Sequence, residues 1–170
     1  MRGFGLIELL ITISLLGILT TLAVDNFGTW IQDTRTRSVA ESLQNGLRLA
    51  QTEAIKSSQN TRFTLTGMNW VIELISRAGT SPSSTTRVHN GGIPDAGHVK
   101  IAATNSAVLT FNSMGRLVSP TTNVNYIITN TRGNRRMQVS VNMAGKVRMC
   151  DLDKTLSVTN PDGFDANGNC

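Results

Sequence analysis

The feature that most constrains this chain is an apolar run near its N-terminus. Residues 6–24 (LIELLITISLLGILTTLAV) contain a single charged residue, Glu8, in 19 positions. As an α-helix that rises 1.5 Å per residue, this run would extend about 28 Å, which is close to the hydrocarbon thickness of a bilayer. We therefore predict a membrane-spanning helix here. The alternative is a helix buried in a globular core.

Glu8 is the exception within the run. A carboxylate in a membrane segment costs about 2.5 to 3.5 kcal/mol on insertion scales and usually has a partner. The alternative is that its side chain reaches the membrane interface. A cleaved secretory signal is disfavoured, because Thr21-Leu22-Ala23 is only a weak match to an Ala-x-Ala cleavage site.

The chain as a whole has an ordinary amino-acid composition. The 170 residues are 39% hydrophobic and 16% charged, with a net charge of +5. These values disfavour a disordered chain, a collagen-like repeat and a multi-span membrane protein. They fit one domain with an appendage.

A second helical pattern follows the interruption at residues 25–28. Apolar or small residues recur at spacings of four, four, three and four, which places them on one face of a helix: Val39, Leu43, Leu47, Ala50 and Ala54. The residues predicted to lie largely away from that face are Arg35, Arg37, Glu41, Gln44, Arg48 and Gln51. The helix is predicted to end near residues 57–60, so the whole helix would be about 50 residues long.

From Arg62 onward the pattern predicts short strands. The predicted strands are residues 63–65, 70–75, 99–102, 108–111, 126–129, 137–141 and 146–150. The Gly-, Pro- and Ser-rich segment 79–97 is predicted to be a long exposed loop, and no internal repeat is recognised. The predicted fold class is α+β, with a long N-terminal helix packed on an all-β head of about seven strands.

The positive charge is concentrated in one segment. No acidic residue lies between Asp95 and Asp151, whereas seven basic residues do: Lys100, Arg116, Arg132, Arg135, Arg136, Lys146 and Arg148. A turn at residues 142–145 would bring the clusters 132–136 and 146–148 side by side, and in a strand Lys146 and Arg148 share a face. Such a surface could bind a nucleic-acid backbone, because each neutralised phosphate releases counterions. The alternatives are a solvated face or pairing with acids of neighbouring subunits.

Aromatic residues are scarce in this segment. Phe111 and Tyr126 are the only rings between residues 96 and 150, and both lie in apolar strand patterns. Base stacking is therefore not expected, and any contact with nucleic acid would be to phosphates and largely independent of sequence.

The N-terminal sequence Gly3-Phe4-Gly5-Leu6-Ile7-Glu8 resembles that of type IV pilins and type II secretion pseudopilins. The resemblance implies cleavage by a prepilin peptidase after Gly3, N-methylation of Phe4, and pairing of Glu8 with the N-terminal amine of a neighbouring subunit. It also implies an inner-membrane protein with a periplasmic head that is later assembled into a surface pilus. The corresponding divisions are a leader (1–3), a membrane half of the helix (4–24), a periplasmic half (25–60), a head (61–150) and a tail (151–170).

Two later motifs narrow the resemblance. Residues 111–117 (FNSMGRL) and 145–150 (GKVRMC) are similar to the GspH/FimT class of minor pilins and pseudopilins. The second motif matches a Gly-Arg-x-Arg pattern that lies, in FimT-like members, in a DNA-binding region used for natural transformation. Here Lys146 replaces the first arginine, which keeps the charge but loses the two-pronged geometry of a guanidinium.

Cys150 and Cys170 are the only cysteines. In an exported head they are predicted to form a disulfide that closes the C-terminal tail, and the alternative is two reduced thiols. The chain is not predicted to be an enzyme or to hold a cofactor, and His89 and His98 are not predicted to bind metal. Two functions remain: a minor pilin whose head binds double-stranded DNA, or a structural tip or priming pseudopilin that contacts only other subunits.

Overall fold

The computed structural model describes residues 5–75, 85–93, 97–155 and 163–164. Its first element is the helix α1 (Leu6–Ser57) of 52 residues, which is about 78 Å long at 1.5 Å per residue. The helix ends at Ser57 because Ser58 adopts a left-handed conformation (φ 53°) and donates its N–H to the Ile55 carbonyl. The predicted helix of about 50 residues is confirmed.

The first half of α1 carries apolar side chains that no other described residue covers. The exposed residues are Leu6, Ile7, Leu9, Leu10, Ile11, Ile13, Leu15, Leu16, Ile18 and Leu19. Further along, Phe27 and Trp30 are also exposed, and their ring centroids are 5.6 Å apart. In the described part of the chain, no helix meets the length and apolarity that a membrane crossing requires.

The second half of α1 packs against the head. All five residues of the predicted apolar face are at most 3% exposed, which confirms that face. Gln51 was predicted to lie away from it, and this prediction is wrong. Its side-chain amide donates a 2.7 Å hydrogen bond to the carbonyl of Gly115 in the head. The contacting surface of the helix is therefore wider than its apolar residues indicate.

The described part of the head has ten strands in two sheets. They are β1 (Asn60–Thr66), β2 (Asn69–Ile75), β3 (Thr85–Gly92), β4 (Val99–Ala103), β5 (Val108–Phe111), β6 (Leu117–Ser119), β7 (Val124–Asn130), β8 (Met137–Val141), β9 (Val147–Thr155) and β10 (Gly163–Phe164). The first sheet has the order β3-β2-β1-β5-β6 and the second β10-β9-β8-β7-β4. Only the β9–β10 pair is parallel among these strands. The predicted α+β class is confirmed.

Three strands were not predicted. β6 and β10 are too short to show a pattern, and β3 lies within the segment 79–97 that was predicted to be a loop. That prediction is wrong for residues 85–92, which pair with β2 along its whole length. Gly91 explains part of this pairing, because a Cβ atom there would overlap the indole of Trp70. Backbone pairing rather than apolar alternation holds this edge strand.

The core lies between α1 and the two sheets. Phe63, Phe111 and Tyr126 are the largest aromatic side chains that are fully buried within it. The Tyr126 hydroxyl has no hydrogen-bond partner among the described residues. Burial raises the pKa of this hydroxyl far above its ordinary value, because the charged phenolate would be desolvated.

Candidate nucleic-acid interface

The connection between β5 and β6, residues 112–116 (NSMGR), is a tight turn held by one asparagine. The Asn112 Oδ1 atom accepts hydrogen bonds from the backbone N–H groups of Met114 (3.0 Å) and Arg116 (2.9 Å). The Asn112 N–H donates to the Arg116 carbonyl, and the Gly115 N–H donates to the Asn112 carbonyl. Gly115 has φ +75°, a left-handed conformation in which glycine is favoured.

The connection between β8 and β9, residues 142–146 (NMAGK), is built in the same way. The Asn142 Oδ1 atom accepts a 2.8 Å hydrogen bond from the Lys146 N–H. The Asn142 N–H donates to the Lys146 carbonyl, and Gly145, with φ +85°, donates to the Asn142 carbonyl. Each turn therefore fixes the backbone of a basic residue at both its N–H and its carbonyl.

The two turns contact each other through their glycines. A Cβ atom on Gly145 would overlap the Gly115 carbonyl oxygen and would lie 2.8 Å from the Gln51 Nε2 atom. Gln51 donates its hydrogen bond to that same carbonyl. One side chain of α1 thus holds one turn directly and contacts the other.

The basic side chains at these turns are exposed. Arg116, Lys146 and Arg148 form what we call the distal basic surface, at the end of the head beside Gln51. Lys146 and Arg148 lie on either side of the buried Val147, as residues that share one face of an extended chain do. In the described part of the chain, no hydrogen bond or ion pair involves the side chain of Arg116 or Lys146.

Two arginines of the cluster at residues 132–136 form ion pairs with aspartates of β9. The Arg135 Nε atom lies 2.8 Å from Asp151 Oδ2, and the Asp151 side chain is only 2% exposed. The Arg136 guanidinium approaches Asp153 Oδ1 through Nη2 at 2.7 Å and through Nε at 2.9 Å. Both arginines have therefore found partners within the head.

This cluster is tied to a different part of α1. The Asp33 Oδ1 atom accepts hydrogen bonds from the backbone N–H groups of Asn134 (2.9 Å) and Arg135 (3.0 Å). Asp33 precedes Gln51 by 18 positions, which corresponds to about 27 Å along a helix. The cluster is therefore at the opposite end of the head, which we call the proximal end.

The predicted convergence of residues 132–136 with 146–148 is wrong. In the β8–β9 pair, Val141 lies opposite Val147 whereas Met137 lies opposite Asp151. The whole of β8 therefore separates the two clusters. The turn at residues 142–145 reverses the chain, but it brings Lys146 beside the β5–β6 turn instead.

The other two basic residues of the segment are also proximal. Lys100 lies opposite Thr129 in the β4–β7 pair. The Arg132 N–H is bonded to Asn130 Oδ1, and the Asn130 amide donates to the Gln32 carbonyl of α1 at 3.2 Å. The proximal basic group thus comprises Lys100, Arg132, Arg135 and Arg136.

A cleft of about 350 Å³ lies at the proximal end. It is lined by Trp30, Asp33, Thr34, Asn134, Arg135, Asp151, Asp153 and Lys154. Charges of both signs alternate there, so the cleft does not present a positive surface to an anion.

The two histidines were considered as metal ligands and the two cysteines as a disulfide. His89 lies on β3 with Nε2 3.4 Å from Glu53 Oε1, whereas His98 precedes β4, in the other sheet. In the described residues, no group of His, Cys, Asp or Glu is arranged to hold a metal ion. Cys150 is buried and Cys170 lies outside the described residues, so their disulfide stays a prediction.

The N-terminal candidates are described only in part. Gly3 and Phe4 lie outside the described residues. Glu8 lies in the first turn of α1 with an exposed side chain. Its predicted pairing with another subunit stays a prediction.

Sequence reasoning did not predict which residues hold the two turns, although Asn112, Gly115 and Gly145 lie in the two motifs that carry the family resemblance. A signal for four of them exists, because the pattern Asn-x-x-Gly-basic occurs at residues 112–116 and again at 142–146. This short internal repeat went unrecognised. Gln51 carries no such signal, since a glutamine on a polar helix face is usually solvated.

Comparisons with known proteins agree with this architecture. The family model described as type II transport protein GspH matches residues 39–145, and that of the prokaryotic N-terminal methylation motif matches residues 1–24. The type IV minor pilin FimU of Pseudomonas aeruginosa is 21% identical, with a TM-score of 0.56 over 68% of this chain and 88% of that one. The minor pseudopilin EpsH from the type 2 secretion system of Vibrio cholerae is 13% identical, with a TM-score of 0.50 over 66% and 93%. At these identities the likeness shows a shared fold. A search of curated protein sequences finds no significant match.

Proposed function

The chain belongs to the GspH family of type II transport proteins. We propose that it is a minor type IV pilin that binds extracellular double-stranded DNA. Its family and its methylation motif make it a subunit of the minor pilin or pseudopilin kind, in a type IV pilus or a type II secretion system. The further step, DNA capture for natural transformation, is our proposal. Binding would be electrostatic and independent of sequence.

One observation carries the DNA proposal. The distal basic surface gathers three cations in a segment, residues 96–150, that contains no acidic residue. Neither Arg116 nor Lys146 has a side-chain partner within the described part of the protein. Cations that are exposed and not neutralised can exchange their counterions for DNA phosphates, which is the main source of nonspecific affinity.

The proximal basic group is a poorer candidate than the sequence indicated. Arg135 and Arg136 each form an ion pair with an aspartate of β9. An arginine whose charge is already compensated gains little from a phosphate, because the existing pair must first be broken. We therefore assign the DNA site to Arg116, Lys146 and Arg148, and not to Arg135 and Arg136. Lys100 and Arg132 are exposed at the proximal end, and the control variant described next measures their contribution to binding.

The test is the affinity of the full chain, in detergent micelles, for random-sequence duplex DNA over a series of salt concentrations. We expect binding that weakens steeply with salt, and a large loss in Lys146→Gln/Arg148→Gln. The matched control is Lys100→Gln/Arg132→Gln, which removes the same charge from the proximal end. An equal loss in both variants would mean that only total charge matters and would refute the assigned site.

A structural subunit without nucleic-acid binding is the second candidate. Met114, Met143 and Ile55 are 77%, 50% and 52% exposed, and the two methionines lie on the same turns as the basic residues. Exposed methionines are typical of protein-binding surfaces. If the full chain binds no DNA at low salt, the distal end is better explained as a contact with another subunit of the filament.

The N-terminal segment is proposed to act as in other proteins with the methylation motif. Cleavage by a prepilin peptidase after Gly3 would leave Phe4 as the methylated N-terminus, and Glu8 would pair with the amine of a neighbouring subunit. In this proposal the exposed apolar half of α1 lies in the inner membrane before assembly and in contact with other subunits afterwards. The exposure of its apolar side chains in the isolated chain supports this role, since such a surface needs a lipid or protein cover.

We also propose that Cys150 and Cys170 form a disulfide in the oxidising periplasm. Cys150 is buried on β9, and the described residues include no free cysteine. The bridge would attach the C-terminal tail to the second sheet. Mass measurement before and after reduction, with alkylation of free thiols, tests this pairing.

A further inference from the structure

We propose that Arg116 and Lys146 form a single two-pronged clamp that holds two neighbouring phosphate groups of the nucleic-acid backbone, an inference that rests on the proposed function. Arg116 comes from the β5–β6 turn in the first sheet, whereas Lys146 comes from the β8–β9 turn in the second. The sequence separates them by 29 residues, and no linear motif joins them. Arg116 and Lys146 come together only because the folded chain brings the two sheets into contact.

The turns that carry Arg116 and Lys146 are built in the same way. In each turn an asparagine side chain accepts a hydrogen bond from the N–H of the basic residue, and its own N–H donates to that residue's carbonyl. Each basic residue immediately follows a left-handed glycine. Each cation therefore starts from a backbone position that is fixed in the same way. Because both backbones are already fixed, binding needs to order only the side chains, which lowers its entropic cost.

The backbone positions of Arg116 and Lys146 are close together. A Cβ atom on Gly145 would lie 3.0 Å from the carbonyl carbon of Gly115. Adding standard bond lengths and one Cα–Cα step places the Cα atoms of Arg116 and Lys146 no more than about 11 Å apart. Long flexible side chains from two such positions can reach adjacent phosphates at once. The two chemistries also differ usefully, since a guanidinium binds a phosphate through two N–H groups and an ammonium acts as a point charge.

Specific residues hold the two turns in contact. Gln51 donates to the Gly115 carbonyl at 2.7 Å. The overlap that a Cβ on Gly145 would cause shows that glycine is required for the close approach. Helix α1 and both sheets therefore meet at the base of the clamp, and these contacts fix the separation of the two turns from which its side chains extend.

The experiment is a salt series on the full chain in detergent micelles with random-sequence duplex DNA, comparing Arg116→Gln, Lys146→Gln and the double variant. Each phosphate contact contributes about −0.9 to the slope of log affinity against log salt concentration. We expect each single variant to lose about 0.9 of the slope and the double variant about 1.8. Arg132→Gln and Lys154→Gln make matched charge changes at the proximal end and should leave the slope unchanged.

The outcomes separate this inference from the proposed function. If Lys146→Gln reduces the slope while Arg116→Gln leaves it unchanged, the clamp is refuted and the DNA-binding function stands. If the unaltered chain binds no DNA at low salt, the proposed function fails and the clamp fails with it. Circular dichroism of each variant checks that the head is folded, which we expect because both side chains are exposed.

Discussion

Replacing Gly145 with alanine tests whether the two turns are held together as the structure indicates. The added Cβ would overlap the Gly115 carbonyl oxygen and lie 2.8 Å from the Gln51 Nε2 atom. The left-handed φ of +85° costs alanine about 1 to 2 kcal/mol. Forcing the turns apart adds about 1 to 3 kcal/mol of overpacking, and loss of the Gln51 hydrogen bond adds about 1 kcal/mol. We expect Gly145→Ala to lower the free energy of unfolding by about 3 to 6 kcal/mol.

The control for this prediction is Gly67→Ala. Gly67 also has a left-handed φ, of +61°, but nothing lies within 4 Å of a Cβ atom placed there. It should therefore lose only the conformational term, about 1 to 2 kcal/mol. Urea unfolding of the full chain in detergent, followed by near-ultraviolet circular dichroism, measures both losses. Equal losses in the two variants would show that the turns are not in contact and would refute the reasoning.

Three further predictions follow from the described contacts. Arg135→Gln leaves the buried Asp151 carboxylate without its charged partner and should destabilise the head by about 3 to 5 kcal/mol. Arg136→Gln, at an exposed ion pair, should cost less than about 1 kcal/mol, and similar urea midpoints for the two variants would contradict this expectation. Because burial raises the pKa of Tyr126, the folded state keeps a proton that the unfolded state releases above about pH 10. Stability should accordingly fall as the pH rises above that value, and urea unfolding of Tyr126→Phe should show a smaller fall. Mass spectrometry of membrane-extracted protein should find an N-methylated Phe4, and an intact Met1 would count against the proposed processing.

Much of the fold could be predicted because its elements are amphipathic. Val39, Leu43 and Leu47 mark the buried face of α1 through spacings that only a helix places together. The strands β5 and β8 were predicted with their observed bounds, since both alternate or concentrate apolar residues over four or five positions. The edge strand β3 was missed because its residues (TTRVHNGG) hold their place through backbone hydrogen bonds to β2, which leave no mark in side-chain hydropathy.

The sequence predicts which basic residues are present in the candidate site, but not which of them form ion pairs in the folded head. The absence of acids from residues 96–150 is visible in the sequence, but it concealed the partners of Arg135 and Arg136. Asp151 and Asp153 follow that segment along the chain, yet the antiparallel pairing of β9 with β8 returns them to the beginning of β8, beside Arg135 and Arg136. Charge counted along a sequence therefore overestimates the charge of a surface wherever the next strand carries acids.

The division of the head into two ends follows from how α1 contacts it. At the proximal end, Asp33 accepts hydrogen bonds from two backbone N–H groups of the loop that carries Arg135, which join the helix to the head. The side chains of Arg135 and Arg136 form ion pairs with aspartates of the head itself. At the distal end, Gln51 offers only a neutral amide, which fixes the turns through a backbone carbonyl and compensates no charge. Among the described residues, the side chains of Arg116 and Lys146 have no ion-pair partner. Their charges are therefore available for the external anion that the proposed function requires.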